Sequence, residues 1–138
     1  MDVRKLVVAV ALLMMLAAGH PAAAQETHWP DARWLETQVF FGLEGSEGGA
    51  VSDDDWKSFL SDVVAPRFPD GLTVLTGIGQ SLDTQAGKPR GGKTMMLLVV
   101  HENSNEAQAK FGEIIAEYKK RFEGVATFRV DFPARIVN

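Results

Sequence analysis

Six consecutive apolar residues, Met95, Met96, Leu97, Leu98, Val99 and Val100, constrain the fold of this chain more than any other segment. The run is too short for a buried helix and lacks the alternation of a strand with one wet face. It therefore reads as a strand from Lys93 to His101, apolar on both sides and central in a sheet. Its neighbours show as segments of period two. Between Trp34 and Leu43, apolar Leu35, Val39, Phe41 and Leu43 alternate with polar Glu36 and Gln38, and Leu72 to Ile78 sets Leu72, Val74 and Ile78 on one side. Near the end of the chain, Ala126, Phe128, Val130 and Phe132 alternate with Thr127, Arg129 and Asp131.

The cover for that sheet lies between the strands. Ser52 followed by Asp53, Asp54 and Asp55 is a helix start, and Trp56, Phe59, Leu60, Val63 and Val64 trace one face up to Pro66. Asn103 or Ser104 caps a second helix whose stripe is Ala107, Phe111, Ile114, Ile115, Tyr118 and Phe122, closed by Lys119, Lys120, Arg121 and Gly124. The glycine-rich stretch from Gly79 to Gly92 reads as a long hairpin loop. The order βαββαβ specifies an α+β, ferredoxin-like fold: a four-stranded antiparallel sheet with two helices on one face, the first and third strands central. Trp56, Phe59, Phe111, Ile115 and Tyr118 should pack on the covered face, with Arg129 and Asp131 turned away from the helices. On the open face, Trp34, Phe40 and one side of the third strand leave an apolar strip. Trp34 and Phe40 are thus interface candidates for a possible homodimer, with the hairpin loop or the N-terminal lead-in as the other cover.

Ahead of this domain, Arg4 and Lys5 precede an apolar run from Leu6 to Ala18, then Gly19, His20, Pro21 and the small residues Ala22, Ala23 and Ala24. Residues 1–24 are expected to be a signal peptide cut after Ala24, residues 25–33 a flexible lead-in, and residues 34–138 a single α+β domain. The run falls short of the roughly 20 residues of a spanning helix, so no stable membrane anchor is expected after cleavage, and the product should be periplasmic or secreted. Cys 0 excludes disulfides, thiolate nucleophiles and Cys-ligated zinc, and the net charge of -4 argues against nucleic acid as a partner.

Few residues suggest chemistry. Gly87 to Thr94 matches the phosphate-binding pattern G-x-x-x-x-G-K-[ST], but that loop needs a helix starting at Lys93 and Thr94, and a strand follows instead. Asp53 to Asp55 are explained by capping, and Gly45, Ser46, Glu47 and Gly48 lack the nucleophile elbow and a paired histidine. Of three histidines only His101 lies at a folded element, so neither a metal nor a cofactor is expected. Arg67, between Pro66 and Phe68, reads first as an ion pair or carbonyl contact fixing a turn and second as a carboxylate ligand. Glu36, Arg67, Gln80 and His101 are the ligand-binding candidates.

A resemblance adds to this. Phe40, Phe41, Gly42 and Leu43, then Val51, Ser52, Asp53 and Trp56, and above all the run from Val64 through Pro66, Arg67, Phe68, Pro69, Asp70 and Gly71 to Val74 carry it, with Gly79, Gln80, Tyr118 and Phe122. In these residues the chain resembles domain-of-unknown-function family 3574, small exported bacterial proteins, which implies an exported domain and no established activity. It departs from the family pattern at Ser81, at Gly91 to Thr94 and at Glu123 to Ala126.

Two functions follow from these readings. One is a noncatalytic periplasmic or secreted binding or assembly module whose ligand is unknown. The other is a small cofactor-free enzyme of the dimeric α/β-barrel type. A deep pocket joining two or more of the candidates would favour catalysis, and an apolar sheet face would favour association.

Overall fold

The structure is a computed structural model that describes residues 29–45 and 50–137. All the elements of the fold belong to one compact unit, Asp31–Asn138. The expected signal peptide and most of the lead-in lie outside the described residues.

The elements follow the expected order: β1 (Trp34–Gly45), α1 (Asp53–Phe59), β2 (Thr73–Asp83), β3 (Lys88–Glu102), α2 (Asn105–Arg121) and β4 (Val125–Ala134). The sheet runs β2-β3-β1-β4 with every pairing antiparallel, so the first and third strands are central. Ser52 starts α1 with a full capping box: its hydroxyl accepts from the Asp55 N–H while the Asp55 carboxylate accepts from the Ser52 N–H. Ser104 caps α2 by accepting from Ala107 N–H, and Gly124 takes the positive φ of 74° that starts the return to β4.

Both helices cover one face of the sheet. Leu35, Thr37, Val39, Phe41 and Leu43 of β1 and Met95, Leu97, Val99 and His101 of β3 are buried under Trp56, Phe59, Phe111, Ile114 and Tyr118, while Ile115 is half-buried. The centre is aromatic. Phe41 meets Tyr118 at 4.7 Å and Trp56 at 5.3 Å between ring centroids, Phe59 meets Tyr118 at 5.1 Å, and the Tyr118 hydroxyl donates to the Gly42 carbonyl at 2.7 Å. Burial raises the Tyr118 pKa above its ordinary value.

Four local expectations are corrected. The first concerns α1, which does not stop cleanly at Pro66 but loosens into a π turn (Leu60–Val64) and then a 3-10 turn (Ala65–Arg67) that holds the proline near its start. Second, the Gly79 to Gly92 segment is no long loop. The ladder continues through Gly79↔Gly92 to Asp83↔Lys88, leaving a short turn between, where the Asp83 carboxylate accepts from the Gln85 and Ala86 N–H groups and Gly87 has φ 64°. The glycines within the arms are there for space: a Cβ on Gly79 would meet Thr94 Oγ1 at 2.7 Å, and one on Gly92 would meet the Glu44 carboxyl carbon at 2.6 Å.

Third, Arg129 and Asp131 point toward the helices. They pair with Val39 and Thr37 of the covered face, which puts Phe128, Val130 and Phe132 on the open side. Alternation fixes that a strand has two faces, but only the partner register says which one is buried. Fourth, β3 is fully buried on its helix side alone; on the other side Met96 and Leu98 are half-buried and Val100 is exposed.

Candidate functional site: the open face of the sheet

The registers order the open face into rows that cross the strands. Phe128, Phe40, Met96 and Leu75 form one row; Val130, Gln38, Leu98 and Thr73 the next; then Phe132, Glu36 and Val100; and finally Ala134, Trp34 and Glu102. Phe40 and Phe128 stack at 4.4 Å with ring planes 7° apart. Phe128 is 59% exposed and Phe132 48%, with Leu75, Val100 and Val130 exposed beside them. An apolar surface of this extent without a covering element is uncommon on a chain that works alone.

On the other side of the Phe128 row the face sinks. Ala126 lies beside Gly42, which pairs with Thr94, which pairs with Gly77; one row further on, Glu44 lies over Gly92, which pairs with Gly79. The depression has a volume of about 350 Å³, walled by Phe128 and, beyond Gly92, by Arg90 and Gln80. Arg90 donates to the Gly45 carbonyl at 2.5 Å, which holds its guanidinium at the rim.

Beneath the sheet, on the covered face, β1, β3 and β4 meet in a polar chain that reaches α2. Thr37 Oγ1 lies 2.8 Å from His101 Nε2 and donates to Asp131 Oδ1 at 2.5 Å. Arg129 donates to Asp131 at 2.9 Å and to Gln108 Oε1 at 2.6 Å, and its guanidinium sits 4.6 Å from the Phe111 ring centroid. His101 Nδ1 is 2.8 Å from the Glu102 carbonyl oxygen. Burial pushes the His101 imidazole below its ordinary pKa; the Glu102 contact raises it, Arg129 lowers it and Asp131 raises it. With three strands and a helix tied together, the chain fixes β4 to the rest of the sheet.

The four ligand-binding candidates fall in three places. Glu36 lies on the open face, where its carboxylate accepts from Gln38 at 2.7 Å. Gln80 borders the glycine depression. Arg67, at the exit of α1, donates to the Val63 carbonyl at 2.6 Å and to Glu113 at 3.1 Å, so it ties α1 to α2. Arg67 and His101 do line one cavity of about 470 Å³ at the end of the sheet, beside Pro69, Asp70 and Ser104. Both ring nitrogens of His101 and two donors of Arg67 are engaged within the protein. Trp34 and Phe40, the interface candidates, both stand on the open face.

Sequence reading missed Phe128, Val130 and Phe132 as surface residues and Thr37, Gln108, Arg129 and Asp131 as a network. For β4 the alternation was visible and only its facing was wrong; Thr37 was placed on the covered face, and its partners became visible only through the pairing of the strands. The Gly87 to Thr94 segment is turn and strand rather than loop and helix, so its backbone cannot cradle a phosphate in the way that the pattern requires. Among the described residues, no group of three or more His, Asp or Glu is placed to hold a metal ion, and no helix is long and apolar enough to cross a membrane.

Comparison with solved structures finds a phage SAM lyase in complex with S-methyl-5'-thioadenosine, at 11% identity and a TM-score of 0.56, over 74% of this chain and 82% of that one. The apo form of a phage SAM lyase aligns at 11% identity and TM-score 0.49, covering 75% and 92%, and a de novo designed protein, Foldit4, at 10% and 0.45, covering 74% and 99%. At such identity the first likeness speaks for the fold alone. No curated protein matches. A family model matches residues 36–137, which span every strand and both helices, and by that match the chain belongs to DUF3574, a family of proteins of unknown function.

Proposed function

We propose that this protein is a noncatalytic binding or assembly module, exported to the periplasm or beyond, that works through the open face of its sheet. The observation that carries this reading is the set of apolar side chains on that face, where Phe128, Val130 and Phe132 of β4 join Phe40, Leu75 and Val100 with none of the described helices or strands above them. Burying such a surface contributes about 25 cal/mol per Å² of apolar area, enough to drive association once the face is matched. Arg67 and His101 share a cavity, which is the one feature that speaks for the alternative, a small cofactor-free enzyme. Arg67 donates to Val63 and Glu113, and the ring nitrogens of His101 lie within hydrogen-bond distance of Thr37 and Glu102, which favours a structural role for both.

Photo-crosslinking in cells tests the module reading. A photoreactive residue at position 128 should give a discrete adduct, whereas one at Ala116, exposed on α2, should give none. Absence of an adduct at position 128 would overturn the reading.

A further inference from the structure

We propose that the open face pairs with the open face of a second copy of this chain, end for end, so that the Val130 and Phe132 rows of one copy cover the glycine depression of the other while the Phe40 and Phe128 rows of the two copies meet on the axis. The inference rests on reading this face as an assembly surface and names its partner. Size is the first argument. Four strands spaced about 4.8 Å apart and nine residues rising about 3.3 Å each span roughly 550 Å² per copy, so a pair reaches the roughly 1,000 Å² that a specific interface needs.

Relief is the second. The face is bulky at Phe128, Phe40 and Phe132 and hollow at Gly42, Gly77, Gly79 and Gly92. Stacking two copies with like rows together would set hollow on hollow and leave two depressions of about 350 Å³ empty in the interface, against the close packing of protein interiors. A two-fold axis between the sheets, running across the strands at the level of Phe40 and Phe128, avoids this. It turns the Phe132 and Val100 row of one copy onto the Gly92 and Gly79 row of the other, and the Val130 row onto that of Gly42 and Gly77.

Charge is the third argument. The same axis brings Arg90, at the hollow end, to the level of Glu102, at the bulky end of the partner on the same strand of the sheet. Among the described residues Glu102 pairs with Arg33 at 3.8 Å, and both residues are exposed. Glu36 and Glu44 of opposite copies come to one level, and Arg90, which donates to the carbonyl of the neighbouring Gly45 and lines the same depression as Glu44, supplies positive charge there.

Sedimentation velocity between about 1 and about 100 µM tests the pairing. The purified protein should dimerise within that range. Nothing lies within 4 Å of a Cβ built on Gly77, so a side chain can leave the backbone there; Gly77→Trp places an indole at the hollow and should weaken association at least about tenfold. Gly112→Trp on α2, where a Cβ is equally free, should leave association unchanged. Arg90→Glu and Glu102→Arg should each weaken the dimer, and the double exchange should restore it. Thermal melts check that each variant is folded. A wild type that stays monomeric, an unaltered Gly77→Trp variant, or a charge exchange without rescue overturns the proposal. If Phe128→Glu abolishes an association that Gly77→Trp and the charge exchange leave intact, the end-for-end pairing fails while the assembly reading stands.

Discussion

The two faces of this sheet are built from similar side chains and have opposite fates. On the covered face, Phe41 is enclosed by Trp56, Phe59 and Tyr118, and the polar groups Thr37, His101, Asp131, Arg129 and Gln108 bond to one another. On the open face, Phe40 stacks on Phe128, and Phe128, Val130 and Phe132 are exposed, with none of the described helices or strands over them. The half-buried Arg129 and Asp131 lie on the side that strand alternation alone would call wet, and the exposed phenylalanines lie on the side that it would call core. Polarity marks a core only where the chain supplies cover; elsewhere apolar residues mark a place where something else does.

This contrast can be broken from the covered side with the largest effect. Phe111 is fully buried, stacked near Phe68 and His101, and Phe111→Ala should cost about 3–5 kcal/mol in chemical denaturation. An equivalent truncation at Phe128 should cost far less in the isolated chain. Next comes the polar chain: Thr37→Val keeps the shape but strips Asp131 and His101 of their shared hydroxyl, and should cost about 1–3 kcal/mol. Ser52→Ala, which removes the capping box of α1, should cost about 1 kcal/mol.

The smallest effect is a pH dependence. Burial holds the His101 pKa below its value in the unfolded chain, so the unfolded state binds more protons on acidification. The stability from neutral His101 is fully present above pH about 6.5 and is lost as pH falls toward the folded-state pKa, with a slope no steeper than about 1.4 kcal/mol per pH unit. Urea melts between pH 8 and pH 5 should show this slope in the wild type and lack it in His101→Gln. Stability that rises on acidification would instead mean that the imidazole holds a second proton, both ring nitrogens donating, with Asp131 as counter-charge.

Much of the fold was legible in the sequence. The order of elements, both N-caps, the central third strand and the aromatic stripes of both helices followed from local periodicity and end signals, which depend on neighbours a few residues away. The facing of β4 did not, because Phe128 and Arg129 alternate equally well in either register and the decision lies in pairing with Phe40 and Val39. The long β2–β3 hairpin was hidden by its glycines. They break strands in general, yet here Gly79, Gly91 and Gly92 lie within the ladder, where Gly79 and Gly92 leave room for the Thr94 and Glu44 side chains. Of the candidate site, Trp34 and Phe40 were legible as outward residues of a central strand, and the depression was not, since it exists only where glycines from three strands fall side by side.

The most direct test compares exposed apolar residues with and without a proposed partner. Hydroxyl-radical footprinting of the protein in its native compartment and at high dilution reads labelling at Phe128, Phe132 and Val100 against Leu82 and Ile78, which are exposed off the open face or beyond its cover. The account predicts strong protection of the first three in the cell, lost on dilution, with Leu82 and Ile78 labelled alike in both. Equal labelling of all five residues under both conditions would contradict it.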